Sequence, residues 1–230
     1  MNMAKINTHT KVLQKIWIVA LLLLFSGCKT HVTVSETPEP LGVKKLLVLP
    51  FVNMSATYGK HVNVRCPICG SVFMTGEVAE DACRLLTDHL NSWLKNERFF
   101  EIVAPKQDQR LISKFLSGDL EAVSERDLLM QAGRDLKTDL VLAGYVYRFR
   151  ERVGSRYSAD TPASVTFALH LVRVNDGRDV WHGLFNETQQ PLSENLLQLK
   201  TFLNRKARWI TAREMAISGL DDMLQTFPKP

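Results

Sequence analysis

The chain has 230 residues, 45% hydrophobic and 23% charged, a globular balance with room for one or two small domains and unlike a disordered or fibrous chain. Its mean hydropathy of −0.08 and a single apolar run shorter than a bilayer span exclude a multi-pass helical membrane protein. Twenty-nine Lys and Arg stand against 24 Asp and Glu, but Lys5, Lys11 and Lys15 sit in an acid-free first 27 residues. The remainder is close to neutral, and no nucleic-acid partner is expected.

Residues 1–15 are polar and basic, residues 16–25 are uninterruptedly apolar, and Ser26, Gly27 and Cys28 follow. That is the layout of a signal peptide over 1–27. Leu24-Phe25-Ser26-Gly27-Cys28 resembles the lipobox of bacterial lipoproteins, with Phe25 where that family usually has Leu. The resemblance implies that Cys28 becomes the first mature residue and carries acyl chains such as palmitate. Each buried methylene adds about 0.8 kcal/mol of membrane attachment. Lys29 after Cys28, where retention signals place Asp, implies the outer membrane, with the chain facing the periplasm. Residues 28–42 are polar, carry Pro38 and Pro40 and show no apolar period, so they read as the lipidated Cys and a flexible tether. Fourteen residues reach at most about 45–50 Å.

A domain over 43–230 follows. Leu46-Leu47-Val48-Leu49-Pro50-Phe51 is the continuous apolar run of a strand buried on both faces. Residues 52–78, with Gly59, Gly70, Gly76 and a Cys pair, read as an irregular or hairpin insertion with little core of its own. Apolar residues at 79, 83, 86, 90 and 93/94 predict a helix over 79–97, with Glu77, Glu80 and Asp81 at its N-terminal end. A short strand over 99–103 and helices over 107–117 and 121–136 come next, broken at Ser117-Gly118-Asp119. Glu121, Glu125 and Asp127 read as a solvated helix face. Strands are expected at 139–150, 164–174 and 180–186, the last two joined by the Asn175-Asp176-Gly177 turn. A helix over 209–224 ends the chain. The order β-α-β-α-α-β-β-β-α describes an α/β fold, a single-domain sandwich of a mixed β-sheet packed with helices.

The segments LLVLPFVNMS, FFEIVAP and DLKTDLVLAGYVYRF, followed by a strand meander, resemble one group of periplasmic lipoprotein domains. It contains the curli-secretion lipoprotein, the N-terminal domain of the Tol-Pal translocation protein and the lipoprotein activators of penicillin-binding proteins. The likeness spans about residues 44–190. It implies a cell-envelope module that binds proteins and is not an enzyme, with no catalytic residues to carry over. The connection 151–163 is too short and charged for the membrane hairpins of the curli pore, although a homo-oligomeric ring without them stays open.

Arg65-Cys66-Pro67-Ile68-Cys69-Gly70 is the sharpest local motif. Cys66 and Cys69 could form a small disulfide in an oxidising compartment, half of a zinc knuckle, or a redox dithiol. A metal reading makes this a metal-binding or thiol-redox lipoprotein and needs ligands from Cys83, His61 or His89. Cys83 lies on an apolar helical stripe and reads as a core thiol. Otherwise no cofactor is expected. His170 and His182 fall on adjacent strands and could face each other as ordinary sheet neighbours. Trp93 and Trp181 read as core. Arg148, Arg150 and Arg152 share a strand face by period two, with Arg156 beyond them, and form a candidate contact for an acidic or anionic partner. Arg205, Lys206 and Arg208 cluster before the last helix.

Overall fold

The computed structural model describes residues 32–34, 44–103, 124–155, 159–189 and 209–228. In chain order they form β1 (Val32–Val34), β2 (Lys45–Val48), β3 (Val52–Asn53), α1 (Met54–Tyr58), β4 (Asn63–Arg65), β5 (Val72–Met74), α2 (Ala82–Glu97) and β6 (Glu101–Val103). Then come α3 (Glu125–Asp135), β7 (Leu140–Arg150), β8 (Val153–Gly154), β9 (Ala159–Thr161), β10 (Ser164–Arg173), β11 (Asp179–Thr188) and α4 (Ala212–Leu224). The expected order is recovered wherever those residues are described. The helix expected at 107–117, the signal peptide and Cys28 lie outside them.

The axis of the main sheet is β7. It pairs in parallel with β2 through Leu46↔Leu140 and Leu47↔Val141, and antiparallel with β10 through Leu171↔Leu142. The sheet order is β1-β11-β10-β7-β2-β6, with β3 also on β7, and the β4–β5 and β8–β9 hairpins stand apart. A strand flanked on both edges and covered on both faces must be apolar throughout, which is why β7 begins Leu-Val-Leu-Ala.

Each face of the sheet has its own core. Leu86, Leu90 and Leu94 of α2 and Met215, Leu220 and Met223 of α4 pack on Val165, Phe167, Leu169 and Leu171 of β10. On the opposite face, Leu129 and Ala132 of α3 and Val64, Ile68 and Phe73 of the insertion cover Val141, Ala143, Ala168 and Val172. The insertion is therefore a hairpin, but one with buried side chains of its own that cap the sheet. Phe73 stacks on Tyr147 with ring centroids 4.4 Å apart.

The structure departs from the sequence-based expectation at four points. Residues 32–34, expected as tether, are an edge strand antiparallel to β11, with Val32 opposite Phe185; the alternating β-branched Val-Thr-Val suits that role. Helix α2 starts at Ala82, not 79, because the Ala79 N–H bonds Phe149 O at 3.1 Å and Val78 bridges to Phe149. Helix α4 starts at Ala212, not 209: Thr211 and Glu214 close a capping box there, and the Ile210 N–H is taken by Gln189 Oε1 at 2.9 Å. Glu125 is not solvated. It is 7% exposed at the start of α3, turned toward Tyr145 and the sheet.

Gly144 of β7 makes room for Phe51, since a Cβ there would stand 2.5 Å from the Phe51 ring. Phe51 is itself held edge-on to Phe167 at 6.2 Å, so it cannot yield freely. Gly144→Ala is expected to lower stability by about 1–3 kcal/mol through overpacking. A urea titration checks it: the midpoint should fall with the slope unchanged.

Candidate functional site

The hairpin insertion brings the Cys66–Cys69 turn onto the sheet. The Cys66 N–H donates to Ser71 O at 2.7 Å and the Gly70 N–H to Cys66 O at 3.0 Å, with Gly70 at φ +76. That left-handed conformation is the reason for a glycine here. Two arginines brace the turn. Arg65 Nη1 donates to Gly70 O at 3.1 Å, and Arg126 of α3 donates through Nη2 to Ile68 O at 2.6 Å and through Nη1 to Gly177 O. Helix α3, the Cys turn and the β10–β11 turn are thus tied to one guanidinium.

Beneath the turn lies His170 of β10, with no exposed surface. Its Nε2 is 3.3 Å from Cys66 Sγ, and its Nδ1 is 3.0 Å from Asp179 Oδ2. His182 Nδ1 is also 3.0 Å from that carboxylate oxygen. His170 and His182 are directly opposite in the β10–β11 register, as their places on adjacent strands led us to expect. The ligand atoms of Cys66, Cys69 and His170 all lie within 4.8 Å of one another, and so do those of His170, Asp179 and His182. Glu125 and Tyr145 adjoin this cluster.

The electrostatics favour one negative sulfur. Cys69 is held far below the ordinary thiol value, first by the hydrogen bond from Cys66 and then by His170 and the Ser71 hydroxyl and N–H, against the effect of burial. Cys66 is pushed up by the same bond to Cys69 and by burial. Burial opposes charge on Asp179, yet the hydrogen bond with His170 and the close approach of His182 outweigh it and keep the carboxyl below its usual value. Burial likewise works against a charged His170, and Asp179 and Cys69 more than offset it. A Cys-His-Asp line of this kind can hold a metal or poise a thiolate. The two sulfurs are unbonded in this structure. No helix follows Cys69; β5 does, so the helix-dipole activation of redox dithiols is missing.

The other candidates are placed elsewhere. His89 pairs with Asp221 at 2.6 Å between α2 and α4, and Cys83 packs beside the other core, its thiol raised to about 11 by burial. His61 is exposed. Arg148 donates from Nε to Ser164 Oγ at 2.6 Å, from Nη1 to Met74 O at 3.3 Å and from Nη2 to Asn186 Oδ1 at 2.9 Å, so it ties the hairpin to β10 and β11. Arg150 Nη2 reaches Pro162 O at 3.5 Å and Arg152 Nη1 reaches Gly154 O at 2.6 Å. Arg156, Arg205, Lys206 and Arg208 lie outside the described residues. An open cleft of about 420 Å³ carries Lys44, Arg134 and Arg173 and includes none of the cysteines. Sequence spacing misses His170 as the partner of Cys66, because 104 residues separate them and only the docking of the insertion joins them.

No protein-family model and no curated protein matches the chain in sequence. Solved structures are similar to it in fold. PelC from Paraburkholderia phytofirmans, described as a dodecamer, is 14% identical, covers 87% of this chain and 99% of its own, and has a TM-score of 0.50. Lipoprotein GNA1162 from Neisseria meningitidis is 12% identical over 71% of this chain and 97% of its own, with a TM-score of 0.36. The C-terminal domain of LpoB from Escherichia coli is 18% identical over 67% of this chain and 87% of its own, with a TM-score of 0.35. At such identities the likeness to PelC is one of fold.

Proposed function

We propose that this chain is an outer-membrane lipoprotein facing the periplasm, whose α/β domain is a non-enzymatic accessory module that binds a protein partner of the cell envelope. The observation that carries the reading is Cys28, set directly behind the apolar run 16–25 and the small pair Ser26-Gly27. The fold shared with PelC supports it. Arg148 makes three hydrogen bonds within the domain, whereas Arg150 and Arg152 make one each and stay candidates for the contact; the outer face of β5 is a second open surface, with Val72 and Met74 57% and 54% exposed.

Cys28→Ser is expected to abolish incorporation of labelled palmitate and to move the protein from the membrane to the soluble envelope fraction. A variant that stays labelled and membrane-bound overturns the anchor. In-cell crosslinking of the full chain should recover an envelope protein, and the double variant Val72→Ser, Met74→Ser should lose it. A second reading, a homo-oligomeric ring, is favoured by the dodecameric state described for PelC. The mass of the full chain in detergent separates the two.

A further inference from the structure

We propose that Cys66 Sγ, Cys69 Sγ and His170 Nε2 bind one tetrahedral, thiophilic divalent ion of the zinc class, with Asp179 orienting His170. The proposal stands apart from the choice of envelope partner. A tetrahedral ion with bonds of about 2.3 Å to sulfur and 2.0 Å to nitrogen needs ligand atoms roughly 3.5–3.8 Å apart. The three atoms here lie within 4.8 Å of one another, and the Cys66 Sγ to His170 Nε2 distance of 3.3 Å is already near that edge length.

Two geometric features suit a bound ion. The turn itself is rigid, closed by the Gly70 N–H and braced by Arg65 and Arg126. The third ligand is prepared as well: with Asp179 Oδ2 at 3.0 Å on Nδ1, the His170 proton is held there and the Nε2 lone pair is left for the ion. His182 and His170 both contact that carboxylate, which fixes it from two sides.

Among the described residues no fourth Cys, His, Asp or Glu joins the set of Cys66, Cys69 and His170. The fourth position is therefore left to a group outside this set, such as water or a small anion. Cys69 is the more exposed of the two cysteines, so that position is on the solvent side of the turn.

The test is metal titration of the reduced full chain in detergent, using Zn²⁺ and the spectroscopic probe Co²⁺. One equivalent of Co²⁺ should give the intense visible bands of a tetrahedral ion together with thiolate charge transfer, and one equivalent of Zn²⁺ should displace it. Cys66→Ser and Cys69→Ser should remove the charge-transfer bands. Asp179→Asn should keep the site but weaken it by about 10–100-fold. His89→Ala, remote on the other face, should change nothing. A weak octahedral spectrum, no stoichiometric binding, or bands that survive both cysteine variants would overturn the site. So would a protein isolated under native conditions with Cys66 and Cys69 fully joined as a disulfide. The wild-type spectrum by itself reports thiolate ligation, so the test holds even where a variant fails to fold.

Discussion

Trp181→Ala is expected to lower the unfolding free energy by about 3–5 kcal/mol, a large share of what holds a domain of this size folded. The indole is fully buried on β11 and meets Phe227 edge-on at 4.9 Å. Phe227 in turn meets Trp93 of α2 at 5.6 Å and Phe100 at 5.9 Å, so one ring past the end of α4 is gripped from three sides. Truncation at 181 opens a void among side chains already locked by their neighbours. A contrasting variant separates packing from polarity. The Trp181 Nε1 is buried without a hydrogen-bond partner among the described residues, a cost in its own right. Trp181→Phe keeps an aromatic ring and removes that donor, so it should cost less than about 1.5 kcal/mol. Urea denaturation of both variants checks the pair; equal losses would mean that the volume at 181 is not what matters.

The second large effect is on pH dependence. Burial pushes the Glu125 carboxyl from the ordinary 4.5 up to about 7, with a Tyr145 hydrogen bond and the nearby His170 charge partly opposing. A raised carboxyl pKa means that the folded state holds a proton the unfolded chain has released. Stability is then greatest below about pH 4.5 and is lost as pH rises through about 7. The full loss corresponds to about 3 kcal/mol. His170, also raised, acts in the same direction, and lowered Asp179 acts at the acid end, so the total profile is a composite. Glu125→Gln isolates one contribution. In metal-free protein the variant should gain about 3 kcal/mol over the wild type at pH 8 and little at pH 4. Denaturant midpoints at the two values measure it, and a gain that is the same at both would show that Glu125 is ionised throughout.

Both cases show what periodicity can and cannot carry. The sequence alternation of β10 correctly separates Val165, Phe167, Leu169 and Leu171 from Thr166, Ala168 and His170, and the first set does pack under α2 and α4. Alternation reports only that the two faces differ and leaves open what covers the second set. The structure covers that face with α3 and the insertion, leaving Thr166 and His170 buried. Glu125 looks solvated in sequence for the same reason: an acid in the first turn of a helix fits the dipole, and nothing local announces that another layer lies against it. The Cys66-Pro67-Ile68-Cys69-Gly70 turn is legible because its chemistry is contained in five consecutive residues. Its histidine is not, since Cys66 and His170 meet only when the insertion folds back over β7 and β10.

The strand at residues 32–34 changes how far the domain can stray from a bilayer. With Cys28 acylated as proposed, only residues 29–31 separate the anchor from β1, which is antiparallel to β11. Four Cα steps cover at most about 14 Å, against about 45–50 Å for the whole stretch 29–42 left unpaired. Under that proposal, β1 ties the anchor to the β11 edge of the sheet. Three described residues are zipped onto that edge, and peeling them away would let the mooring line out by some threefold. Whatever competes with Val32–Val34 for β11 would therefore also set the height at which the domain works.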